Sequence, residues 1–164
     1  MASRVQVLVP ITIAAIIVGI SGIISLPSDV KLESVEFPRG MIKLDNVVLE
    51  VQIADTDPRR ARGLMFQDQL PFDQGMLLVF DSADKRSIWM LNMQFSLDAL
   101  WIDGDGKVVH IEKNIPPCKT AVETVTCPSY KGAGNDAKYV LELTSGFVDK
   151  YNITTDSIVE IISI

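Results

Sequence analysis

Short apolar runs separated by polar punctuation, rather than long helical stripes, organise most of this chain. Val47–Ile53 alternates after a turn at Asp45-Asn46, and Met76–Phe80, Ser87–Leu91 and Ala99–Ile102 are three further runs of strand length. Asp103-Gly-Asp-Gly106 marks a tight hairpin turn, with Lys107–Ile111 as the returning strand. Lys138–Leu143 and Ser157–Ile162 complete the set of strands. One short helix is expected from Asp57-Pro58, because Asp57 can accept from unpaired N–H groups and proline suits the first helical position. It would turn Ala61, Leu64 and Met65 toward the sheet, with Gly63 inside it. Ser145–Tyr151 is a second short helix. The pattern predicts a mostly β (α+β) fold: a compact antiparallel or mixed sheet, or a small barrel-like domain, with one or two short helices.

The N-terminal run breaks this pattern. Positions 5 to 26, VQVLVPITIAAIIVGISGIISL, carry no charge over 22 residues. As a helix they would span roughly 33 Å, about one hydrocarbon core. A cleaved signal peptide has a shorter apolar region of about 7–15 residues and a small-x-small site, and Leu26-Pro27-Ser28 is a poor match. The expectation is a single N-terminal transmembrane helix in contact with membrane lipid. Ala15, Gly19 and Gly22 share one helical face, where small residues let a membrane-protein partner approach closely. Arg4 on the first flank puts the N-terminus in the cytoplasm by the positive-inside rule. The expected organisation is therefore an anchor at 1–27, a polar linker at 28–40 and an extracytoplasmic β-rich domain at 41–164, single-pass in the cell membrane.

Charge and cysteine usage sharpen this. The 164 residues hold 15 basic and 21 acidic side chains, a net charge of -6, and show no basic cluster of the size a phosphate backbone requires, so no nucleic-acid partner is expected. Cys118 and Cys127 are the only cysteines and lie in one irregular stretch, which outside the cytoplasm reads as a disulfide rather than a metal or redox motif. Asn152-Ile-Thr154 is a glycosylation sequon. The only dense basic cluster is Arg59, Arg60 and Arg62, two of them expected to be solvated and one able to grip a carboxylate.

Candidate chemistry concentrates between Trp89 and Asp98. Asn92 and Asp98 are polar groups bounded by Trp89, Phe95 and Trp101, the edge of a pocket or, alternatively, partners for turn backbone. Met65, Met76, Met90 and Met93, with the lone histidine His110, could in principle hold Cu(I), a soft ion, although methionine more often fills core gaps. Strand alternation would place Met90 and Asn92 on one side and Trp89, Leu91 and Met93 on the other. Glu112 and Glu142 are strand residues with no carboxylate partner in view, and no nucleophile stands beside a base. No catalytic residues are expected, and no cofactor beyond the copper option.

Several motifs occur in an order that resembles an uncharacterised family, the domain of unknown function 192. They are Arg62-Gly-Leu-Met65, Gly75-Met-Leu77, Trp89-Met-Leu-Asn92, Leu97-Asp98, Ile102-Asp-Gly-Asp-Gly106 and Val140-Leu-Glu-Leu143 with Gly146, covering about Val47 to Ile162. Met93 and Ser96 depart from the family's usual threonine and proline. The resemblance implies a compact, mostly β domain, often secreted or anchored, with no established activity. Two functions are thus expected. One is a membrane-anchored, non-catalytic domain that binds protein or serves as an accessory subunit of a membrane complex. The alternative is a small-ligand or copper-type metal-binding domain using the Trp89–Asp98 loop, with Arg62 and Met65 as further candidates.

Overall fold

A computed structural model describes residues 35–164. The expected anchor, including Ala15, Gly19 and Gly22, and most of the linker lie outside the described residues. Among the described residues, no helix is long and apolar enough to cross a membrane.

Seven strands form one mixed sheet. They are β1 Arg39–Leu44, β2 Val47–Ala54, β3 Gln74–Trp89, β4 Leu97–Ile102, β5 Val108–Ile115, β6 Ser129–Thr144 and β7 Val159–Ser163. Their order is β5-β4-β6-β3-β2-β1-β7. Among the described strand pairs only β2–β3 is parallel, and the connection it requires carries helix α1, Asp57–Arg62. Two more short helices follow, α2 Ala121–Val125 and α3 Phe147–Tyr151, one more than the sequence suggested. The two end strands meet at one corner, where Val159 N–H donates to the Gly106 carbonyl (2.8 Å) and Val108 N–H to that of Ser157 (3.1 Å).

Strand periodicity divides the core in two. On β3, Leu77 faces one way and Met76 and Leu78 the other; on β6, Leu141 and Leu143 oppose Val140 and Glu142. The first face collects Ile42, Leu49, Val51, Leu100 and Phe147. The second collects Leu64, Met90, Met93, Trp101 and Ile115. All six residues of β4 are buried, as expected for a strand covered on both faces.

Four boundaries differ from the sequence reading. The linker gives way to β1 at Arg39. Thr56, not Asp57, caps α1, its side chain accepting from the Arg59 N–H, and the helix stops at Gly63, which takes a positive φ of 48°. Ala61 is accordingly exposed. Finally, Asp81–Arg86 and Lys131–Gly134 are not punctuation but lie within the polar halves of β3 and β6, where Asp84 pairs with Ala137, Lys85 with Asp136 and Ser87 with Lys131. Backbone hydrogen bonds do not require apolar side chains, and Lys85–Asp136 adds an ion pair at 2.8 Å across the ribbon.

Candidate ligand-binding site

The motif segments converge on the second face of the sheet. After α1, the chain turns over β2 and is fastened there by a reciprocal amide pair. The Gln52 side chain donates to the Gln67 oxygen at 2.7 Å, and Gln67 donates back at 3.0 Å. The Phe66 N–H then donates to the Asn92 carbonyl at 3.0 Å. Both residues have positive φ (63° and 55°), so two left-handed turns are interlocked. Asn92 ends the strand alternation, and Met90 and Met93 consequently face the same apolar cluster rather than opposite sides. The Met90 carbonyl also accepts from Cys118 N–H at 2.9 Å, which ties the Cys118–Cys127 disulfide loop to the end of β3.

Between this turn and the β3–β6 pair lies a cleft of ≈ 290 Å³. Leu64, Met65, Leu78, Ile88 and Met93 provide apolar walls, while Trp89, Arg60 and Arg62 also line it. Trp89 is half exposed. Two of the three arginines, rather than one, hold a carboxylate, and Arg60 is the more committed: it donates to the carbonyls of Asp55 (2.8 Å) and Val79 (2.6 Å) and to Asp57 (2.6 Å). Arg59 bonds Asp55, whose carboxyl it holds below the ordinary range. Arg62 lies over the Phe66 ring at 5.0 Å and has no ion pair among the described residues.

Glu142 lines the same cleft, though in sequence it stood out only as a strand residue with no carboxylate partner in view. It sits on β6 between Met76 of β3 and Ala99 of β4, both fully buried, and is itself only 5% exposed. Its carboxyl has no hydrogen-bond or ion-pair partner among the described residues, and burial alone pushes it up to about 7. A side chain added at Gly63 would sit 4.0 Å from its Oε2, so the glycine of the Arg62-Gly-Leu-Met65 segment leaves the approach open. The available signal was parity: in Val140-Leu-Glu-Leu143 a carboxylate occupies the same face as Val140.

The remaining candidates separate. Asp98 belongs to the first face: its carboxylate accepts from the N–H groups of Asn114 (3.0 Å), Gly146 (3.0 Å) and Val148 (2.9 Å), joining β4, β5 and α3. It is thus a backbone clamp, and the Trp89–Asp98 stretch is not one site. Met90 is fully buried in apolar packing, while His110 on β5 meets Glu112 at 3.1 Å and packs beside Trp101. Among the described residues, no group of three or more His, Cys, Asp or Glu could hold a metal. Asn152 is exposed, in a left-handed turn ending α3.

Comparison with known proteins agrees with the motif reading. Residues 40–161 match the profile of the domain of unknown function 192 family, described as "Uncharacterized ACR". The chain belongs to this family. A crystal structure of a candidate transcription regulator from Sinorhizobium meliloti 1021 has a TM-score of 0.68 at 26% identity, covering 77% of this chain and 96% of that one. A protein of unknown function from Novosphingobium aromaticivorans has a TM-score of 0.66 at 25% identity, covering 74% of this chain and 84% of that one. No curated protein matches.

Proposed function

We propose that this member of the family is a non-catalytic binding domain that takes a small, largely apolar ligand in the cleft between α1 and β3. One observation carries the reading: a nearly buried carboxyl, without a hydrogen-bond or ion-pair partner among the described residues, borders a cleft with mainly apolar walls. Buried polar groups are ordinarily satisfied, and a mostly apolar pocket with a few convergent polar groups is the usual form of a small-molecule site. The enclosure is of the right order for a ligand the size of one large side chain. Copper is not part of this proposal, because Met90 and His110 are occupied with packing and Glu112.

The same proposal holds the domain at a membrane through residues 5–26, facing the oxidising side, as an accessory to a membrane complex. The uncharged run and the Cys118–Cys127 disulfide support that placement.

The test is a thermal-shift screen of the full-length chain against a small-molecule library. Hits should stabilise the native protein and lose their effect in Ser87→Trp and Ser129→Trp, two exposed positions lining the cleft. A screen with no hits, or hits indifferent to both substitutions, refutes the reading.

A further inference from the structure

We infer that the ligand of this cleft carries a protonated amine, seated on the Glu142 carboxylate with its apolar body against Met65, Met93 and Trp89. The inference rests on the binding reading above and adds the chemical class.

Of the charged side chains lining the cleft, two are arginines and one is an acid. The Arg60 guanidinium is spent on Asp57 and two carbonyls, and that of Arg62 lies over Phe66. Neither lowers the Glu142 proton affinity, for burial is the only cause acting on that group. From β3 and β4 it meets only Met76 and Ala99 at its own level, neither of which titrates. Glu142 is therefore a carboxyl with full acceptor capacity and no counter-charge, a state in which the ionised form is costly until a cation arrives. An ammonium group supplies that charge and up to three donors. The half-exposed indole of Trp89, also in the cleft lining, is an aromatic surface of the kind that attracts cations. The net charge of -6 favours the approach of cations over anions. A carboxylate ligand, by contrast, would meet an acid.

The experiment is calorimetric titration of the full-length chain in lipid nanodiscs with 2-phenylethylamine, 2-phenylethanol and phenylacetate at about pH 8. The amine should bind at one site at least about tenfold more tightly than the alcohol, a difference typical of a desolvated charge pair. That preference should vanish in Glu142→Gln, which keeps the side-chain volume. It should also fade in the native protein below about pH 7, as Glu142 takes its proton. Equal binding of amine and alcohol overturns the inference and leaves the binding reading standing. Preference for phenylacetate overturns it in favour of an anion at Arg62. Binding by none of the three also overturns it. An amine preference that survives Glu142→Gln removes Glu142 as its seat and overturns the inference as well.

Discussion

Replacing Glu142 by glutamine should stabilise the ligand-free protein, and only above a certain pH. In the folded chain the carboxyl keeps its proton to about pH 7, against an ordinary value of 4.5. Between those values the folded state binds more protons than the unfolded one, so stability falls as pH rises. The loss is complete above the folded value. At about 1.4 kcal/mol per tenfold change in proton affinity, the gap corresponds to about 3 kcal/mol. Glutamine has no such loss, since it never ionises. Urea unfolding of both proteins at intervals from about pH 4.5 to 8.5 reads the difference directly, because every other titrating group is shared. The gap between the two curves should open through this range and level off near its top, with the variant more stable. Parallel curves would mean that Glu142 already has a partner or is wetted by solvent. The case for the cleft would then fail with it.

Asp98→Ala removes the acceptor of three backbone N–H groups and should cost about 3 kcal/mol or more, with faster hydrogen exchange at Gly146 and Val148; an unchanged exchange rate there would contradict the clamp. Gly132→Ala would place a methyl 2.7 Å from the Trp101 ring and should lower stability by about 1–3 kcal/mol while shifting tryptophan fluorescence. Reducing the Cys118–Cys127 bridge should cost at most about 3 kcal/mol, leave the sheet folded and weaken ligand binding through the end of β3, all measurable in one thermal melt with and without reductant. Mass spectrometry of native membranes, with thiols blocked before lysis, should find the two cysteines joined. Free thiols there would argue against an oxidising compartment.

The parts of the fold legible in the sequence were those written in side-chain periodicity. Val47–Ile53, the Asp103–Gly106 turn and the short helix near Phe147 all follow from local pattern, and the structure has them. The polar halves of β3 and β6 were illegible because their pairing is a property of the backbone and of each other. Asp84 and Lys85 read as surface until Asp136 and Ala137 are found opposite them. The candidate site divided in the same way. Met65, Trp89 and Arg62 do line one cleft, because the motif segments that carry them converge on the second face of the sheet. Asp98 and Asn92 looked alike in sequence, yet one clamps the opposite face and the other supplies a left-handed carbonyl to Phe66. Glu142 stood out in sequence only as a strand residue with no carboxylate partner in view, which says nothing of its burial. Only the tertiary contact of two more strands and a helix turn closes the space around it.

The position of β1 has a mechanical consequence. The first strand of the domain is interior to the sheet, paired along its whole length with β2 and from Met41 onward with β7. A pull entering the domain from the N-terminal side therefore reaches a strand gripped by two antiparallel neighbours. Extracting it requires breaking ladders on both sides, whereas an edge strand could be peeled from one neighbour, bond by bond. The chain's point of entry is thus among the better reinforced places in the domain, and a load applied there is shared between the hairpin to β2 and the C-terminal strand β7.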